Sequence, residues 1–289
     1  MIPVEIIESI ARMKQWSERV RDSHKTIGFV PTMGGLHEGH MSLVRESLAT
    51  CGTTVVSIFV NPTQFGAHED LDTYPSDLEG DKRQLESAGV DVLFLPSRNE
   101  MYPKGYKTFV AVEEITDHLC GESRPQFFRG VATVVLKLFN IVRPHIGFFG
   151  EKDWQQVTVV ETMLRDLNID ATIRRMPIVR ESEGLAKSSR NLYLSNEEKT
   201  PALSLSQALD AAKQEIENGE SSADKIRAGI RHQIEKHEET EIDYISVCDP
   251  ESFVEQDEIK EKSLIALAVR IGKTRLIDNC IVRRVECSE

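Results

Sequence analysis

From Thr53 to Val60 the chain reads TTVVSIFV, a β-branched run without a charged residue. A strand with one wet face alternates apolar and polar residues. This one does not alternate, so it predicts a strand covered on both faces. Such strands belong to parallel sheets, in which helical crossovers cover the two sides. The flanking segments agree. TIGFVP (26–31) is a short apolar run, and HEGHMSLVRESLATCG places Met41, Val44 and Leu48 on a helical stripe that stops at Gly52. A helix-like segment around 77–88 ends at Gly89, and DVLFLP (91–96) follows as a strand. RGVATVVLKLFNIV (129–142) reads as a helix, HIGFFG (145–150) as a strand and WQQVTVVETMLRDLNI (154–169) as a helix. This β-α-β-α order predicts an α/β fold with a doubly wound parallel sheet and right-handed crossovers.

The pattern changes after about residue 178. NEEKTPALSLSQALDAAKQEIENG and SADKIRAGIRHQIEKH read as two amphipathic helices, with Asn196 and Ser222 as N-caps. Strand-like DYISVCD (243–249) and SLIALAVRIGKTRLIDNCIV (263–282) come next, which predicts a smaller α+β C-terminal domain. A chain of 289 residues suits two domains, 1–178 and 179–289.

Charge narrows the partners. The formal net charge is −12, a poor match for nucleic acid or an anionic membrane. Any phosphate ligand must be held by local cations and helix N-termini. The chain lacks the apolar run of roughly 18 residues that a membrane span needs. MIPVEIIESIARMKQW mixes charges into its apolar residues, unlike a secretory signal. Five cysteines without a CxxC pair point to a reducing, cytoplasmic compartment.

In an open parallel sheet, ligands collect at the carboxyl ends of strands. VPTMGGLHEGH (30–40) lies at such an end, where a strand hands over to a helix. Its glycines would let backbone N–H groups approach a phosphate, and the helix N-terminus adds partial positive charge. His37 and His40 would point roughly the same way and donate hydrogen bonds to phosphate oxygens. The fingerprint GxGxxG is absent. A zinc site would need HExxH and further ligands, and HEGH is one residue short, so no metal site is assigned. IGKT (271–274) resembles the tail of a P-loop, but the first glycine of that motif would fall at Leu267, so it reads as structural.

FGEKDWQQ (149–156) repeats the strand-to-helix placement. Lys152 would hold a phosphate as a point charge, and Gln155 and Gln156 offer amides to a polar ligand. Asp153 alternatively caps the helix. GLAKSSRN (184–191) packs Lys187, Ser188, Ser189 and Arg190 into one loop, a set that suits a polyphosphate or, more blandly, an exposed basic turn. No apolar run anchors that segment in sequence, so it is expected to be mobile without a ligand. VNPTQF (60–65) follows the buried strand, which puts Asn61 and Gln64 at the same end of the sheet.

PTMGGLHEGH, VVSIFVNPTQF, DLDTYP, RGVATVVLKLFNIV, FGEKDWQQ and GLAKSSRNLYLS occur here in the order found in the pantoate–β-alanine ligases, which this chain resembles from about residue 26 to RLIDN at 275–279. The resemblance implies a Rossmann-like N-terminal domain, a C-terminal lid, a homodimer, and ATP accompanied by Mg2+. It implies that pantoate attacks the α-phosphate of ATP to give pantoyl adenylate, from which β-alanine displaces AMP. By matching motif, Met33, Gly34, Gly35, Leu36, His37, Glu38, Gly39 and His40 would line the ATP site, together with Gly150, Glu151, Lys152, Asp153, Val179, Lys187, Ser188, Ser189 and Arg190. His40 would be the main catalytic donor, assisted by His37 and Lys152. Gln64 and Gln156 would hold pantoate, with Asn61 beside them. Two stretches depart from the family's usual pattern: RPQFFRGV, with Gln126 and Phe127 where RPGHFRGV is common, and YPSD, with Ser76 where YPRT is common.

Two other readings share part of this pattern. Another HxGH nucleotidyltransferase, such as a cytidylyltransferase, would carry the first motif without VNPTQF and FGEKDWQQ. A non-catalytic nucleotide-binding regulator would be expected to lack one of the histidines, Lys152 or KSSR, and all are present.

Overall fold

The computed structural model describes residues 3–66 and 69–284. They divide into two compact units. One comprises the chain up to Glu113 together with Arg124–Glu151 and Gln155–Ile178; the other comprises Glu114–Ser123, Lys152–Trp154 and the chain from Val179.

In the first unit, β1 (Glu5–Ile7), β2 (Ile27–Thr32), β3 (Thr53–Ile58), β4 (Val92–Phe94), β5 (Ile146–Gly150) and β6 (Thr172–Met176) form one parallel sheet in the order β1-β4-β3-β2-β5-β6. The helices in chain order are α1 (Ile10–Asp22), α2 (Glu38–Thr50), α3 (Leu78–Ala88), α4 (Arg98–Met101), α5 (Cys120–Ser123), α6 (Phe127–Val142) and α7 (Trp154–Asp166), of which α5 belongs to the second unit. Every residue of β3 is buried, as a strand covered on both faces requires. Phe29 and Val30 show how the cover is shared. Both are fully buried, and as neighbours on β2 they point to opposite faces. Phe29 meets Phe139 of α6 edge-on, with ring centroids 5.8 Å apart. Val30 packs in a cluster with Met41 and Val44 of α2 and Leu85 of α3.

The chain runs from β2 through β3 to β4 on one side, then resumes at β5 on the other side of β2. The direction of winding therefore reverses between β2 and β5. Their carboxyl ends form the switch point where such sheets bind ligands.

In the second unit, β7 (Thr240–Cys248), β8 (Ser263–Ile271) and β9 (Thr274–Val282) make an antiparallel sheet, and α8 (Lys199–Glu217) and α9 (Ala223–Ile234) share a core with it. The IGKT segment is the β8–β9 hairpin turn, with Gly272 at φ 54. Ser222 caps α9, accepting from Lys225 N–H at 3.4 Å. The cap expected at Asn196 for α8 is not made there: the helix begins at Lys199, its N-cap Glu198 makes no side-chain cap bond, and a hydrogen-bonded turn precedes it. Ser195 Oγ accepts from Glu198 N–H at 3.2 Å and Glu198 accepts from Ser195 N–H at 2.8 Å, a reciprocal box. Helix α7 stops at Asp166, short of the expected 169, because Asn168 turns into the left-handed region at φ 54. Strands β1 and β6 and helix α1 had no counterpart in the sequence reading. None of the described helices is long and apolar enough to cross a membrane.

Candidate active site

Strand β2 ends at Thr32 and α2 begins at Glu38, so Met33 to His37 form the turn between them. Gly34 and Gly35 take φ values of 88° and 62°, the left-handed region that favours glycine. Three N–H groups of this turn, those of Gly34, Gly35 and Leu36, are engaged by side chains of the same unit. Gly34 N–H donates to Thr32 Oγ1 at 3.2 Å. Gly35 and Leu36 N–H donate to the two oxygens of Asp81, at 2.9 and 2.8 Å. Asp81 comes from α3 and is 2% exposed. Burial pushes its carboxyl up from the ordinary value, outweighing the two backbone hydrogen bonds that pull it down. A buried carboxylate aimed at main-chain amides is a strong acceptor, so it takes the donors and sets the shape of the turn. Asp81 went unnoticed in sequence. Its only signal is an acid on the inner face of an otherwise ordinary helical stripe.

The histidines are brought together. His37 is the N-cap of α2, and its Nδ1 accepts from Gly39 N–H at 3.1 Å. The neutral ring therefore carries its proton on Nε2. The His40 ring, from the first turn of the helix, stacks on it with centroids 4.1 Å apart and planes 29° apart. Glu38 is exposed and paired with Arg45.

The loop after β3 lies against the same turn. Asn61, 1% exposed, caps the short 3-10 turn Pro62–Gln64. Its Nδ2 donates to Gln64 Oε1 and to the Gly130 carbonyl, both at 3.1 Å. Its Oδ1 accepts from Thr63 Oγ1 and from the Tyr102 hydroxyl, both at 2.9 Å. Burial pushes the Tyr102 phenol up to about 12, so it stays a donor. With its amide engaged at both ends, Asn61 orients Gln64, whose Nε2 in turn reaches Met33 Sδ at 3.1 Å. The α6 backbone approaches this loop so closely that only glycine fits at position 130. Phe127 at the start of α6 is covered by Arg124, 3.8 Å from its ring centroid.

Gly150 ends β5, Glu151 to Asp153 form a 3-10 turn, and Gln156 sits half-buried in the first turn of α7. Lys152 and Asp153 fall in the second unit, and among the described residues the Lys152 ammonium has no ion-pair partner. In that unit, residues 179–187 fold back on themselves. Lys187 N–H donates to the Val179 carbonyl at 2.9 Å and Glu181 N–H to the Leu185 carbonyl at 2.8 Å. The segment is anchored: Leu185 and Ala186 are buried, and Lys187 pairs with Glu181 at 3.2 Å. Ser188 caps the 3-10 turn Ser189–Tyr193, accepting from Arg190 N–H at 3.3 Å, and Ser189 is buried. The segment 184–191 carries no apolar run, yet two of its own residues, Leu185 and Ala186, are buried.

A doubly wound parallel sheet with a glycine turn and stacked histidines at its switch point defines a Rossmann-like α/β class of fold. Comparison with known proteins narrows the class. The family model for pantoate–β-alanine ligase matches residues 5–281. The pantothenate synthetase of Heliobacterium modesticaldum is 54% identical over 279 residues, covering 96% of this chain and 99% of that protein. The one from Thermotoga petrophila is 50% identical, covering 96% and 100%. A crystal structure of pantothenate synthetase from Thermus thermophilus superposes with a TM-score of 0.91 at 40% identity, covering 96% of this chain and 99% of that one. Pantoate–β-alanine ligase from Francisella tularensis, complexed with beta-gamma ATP and β-alanine, gives 0.80 at 35% identity, covering 96% and 97%. The chain belongs to the pantoate–β-alanine ligase family.

Proposed function

We propose that this protein joins pantoate to β-alanine at the expense of ATP, giving pantothenate, AMP and pyrophosphate. The observation that carries this reading is the family match over residues 5–281, which includes the histidine turn at the switch point. In the first step a pantoate carboxylate oxygen attacks the α-phosphorus. The bond to the bridging oxygen breaks, and pyrophosphate leaves with the electron pair. A carboxylate is already ionised at pH 7, so no base is needed. The step needs alignment and donors placed where charge builds up.

His37 is suited to donate from Nε2, because its Nδ1 is committed to Gly39. His40, stacked on it, is the main donor to the phosphate oxygens. Met33 to Leu36 form the wall that the nucleotide approaches. Gln64 reads pantoate, and Asn61 acts through Gln64 by fixing its amide. Gln156 offers a second amide to pantoate. In the second unit, Lys152 acts as a point charge on phosphate, while Asp153, Val179 and Lys187 to Arg190 complete the nucleotide contacts. Mg2+ enters as the complex with ATP. In the second step the β-alanine nitrogen attacks the acyl carbon, AMP leaves with the electron pair of the broken C–O bond, and the amine loses a proton. The enzyme acts in the cytoplasm as a homodimer.

The test is exchange of labelled pyrophosphate into ATP with pantoate and Mg·ATP present and β-alanine omitted. Exchange that depends on pantoate supports the adenylate route. A folded, ATP-binding protein that makes pantothenate without such exchange would refute a freely reversible adenylate step. Pantoate-independent exchange, or exchange with an unrelated acid instead, would refute the substrate.

A further inference from the structure

Strand β9 carries two adjacent polar residues, Asp278 and Asn279, in an otherwise apolar stretch, LIDNCIV. They are 3% and 5% exposed. Burying polar groups inside a strand costs free energy unless they are hydrogen-bonded. Their side-chain bonds go to two distant segments of the same unit.

Neighbours on a strand point to opposite faces of the sheet. On one face, with Leu276 and Cys280, lies the core shared with α8, α9 and Leu185. Asp278 belongs there. Its carboxylate holds Arg180 bidentately, at 2.7 and 3.0 Å, and the same guanidinium donates to the Gly184 carbonyl at 3.0 Å. Arg180 and Ala186 bridge the two arms of the hairpin 179–187, which leads directly into Lys187–Arg190. The other face, with Ile281, packs with Trp154 and Leu264. Asn279 belongs there, and its Nδ2 donates to the Lys152 carbonyl at 2.9 Å. Asp278 Oδ1 also accepts from Asn279 N–H at 2.8 Å, which ties the two side chains to one local geometry.

We propose that Asp278 and Asn279 are positioning residues for the reaction: Asn279 fixes the turn that presents Lys152, and Asp278 fixes the hairpin that presents Lys187–Arg190. The proposal rests on the reading above that Lys152 and Lys187–Arg190 contact ATP. It explains why an edge strand far along the chain keeps two buried polar groups that contribute little to its own pairing.

The test uses Asn279→Asp, which keeps the shape but sets a carboxylate against the Lys152 carbonyl, and Asn279→Ser as a second variant. Pantoate-dependent pyrophosphate exchange is measured as kcat and as KM for each substrate, in wild-type and Lys152→Ala backgrounds. A misplacement of about 1 Å costs up to about 100-fold. The expected result is a 10- to 100-fold fall in kcat, with KM for pantoate unchanged. In the Lys152→Ala background the same substitution should change the residual rate by less than about 2-fold, since the residue it positions is gone. Asp278→Asn should speed hydrogen exchange at the Glu181 and Lys187 amides. An equal loss in both backgrounds would mean a general structural role and would overturn the proposal, as would unfolding of both Asn279 variants. Wild-type exchange by folded Asn279→Asp, with Lys152→Ala impaired, overturns this proposal alone. Wild-type exchange by Lys152→Ala overturns the site reading beneath it.

Discussion

Gly130→Ala sets two known effects against each other. An ideal Cβ at Gly130 would stand 2.3 Å from the Thr63 carbonyl oxygen, 2.5 Å from its carbon and 2.7 Å from Gln64 Cα. Comfortable carbon contacts lie at about 3.5–4.0 Å, so about 1 Å of separation must be found. Backbone lines both sides of the contact, and it cannot swing away as a side-chain tip would. Alanine should stabilise helix α6 by about 0.5–1 kcal/mol through propensity. Overpacking at a tight site costs about 1–3 kcal/mol. The clash wins on balance, for a net loss of up to about 2 kcal/mol, which lowers Tm by up to roughly 3–4 °C in a protein of this size. The displacement also reaches the loop at the carboxyl end of β3. The Gly130 carbonyl accepts from Asn61 Nδ2 at 3.1 Å, and Asn61 orients Gln64. Moving that carbonyl by about 1 Å breaks the chain of bonds, so pantoate affinity should fall by 10- to 100-fold while ATP affinity holds. Thermal melts and calorimetry with each ligand decide the matter. A Gly130→Ala protein with a raised Tm and wild-type pantoate affinity would show that helix propensity dominates and that the loop gives way freely.

Three further outcomes are expected. His40→Ala should keep the fold and lose on the order of 10²–10³ in the rate of pyrophosphate exchange; near-wild-type turnover in a folded variant would remove His40 from the chemistry. Gln64→Leu should weaken pantoate by about 1–3 kcal/mol and leave ATP unaffected; equal weakening of both in calorimetry would reassign the residue. Asp81 has a folded pKa raised above its unfolded value of about 3.9, so the group contributes stability that is fully present below that pH and is lost as pH rises through the raised folded value. Paired urea melts of wild type and Asp81→Asn from about pH 3 to 7 should therefore show the wild-type advantage shrinking as pH rises. An advantage that grows with pH would mean that the two amides outweigh burial.

The sheet was legible in sequence because its signal is local. A strand buried on both faces must be apolar throughout, as Thr53–Ile58 is, and a helix between strands must repeat its apolar residues at helical spacing. The parallel α/β architecture follows from those two rules. The short edge strand β1 was not legible, since three residues carry no period. The stretch of charged residues in β6, Thr172–Met176, likewise hid a strand. The histidine turn could be placed from sequence because it sits where a strand meets a helix. Its internal wiring could not. Asp81 is some 45 residues from the amides it holds, and nothing in its own neighbourhood says that it points inward. The structure pairs those N–H groups with a buried side chain, because a buried carboxylate and a main-chain donor satisfy each other wherever the fold brings them together. The same holds for Asn279 and the Lys152 carbonyl, 127 residues apart. Periodicity and turn chemistry act over a few residues and can be read along the chain. Partners for buried polar groups are chosen across space, and only the folded structure decides them.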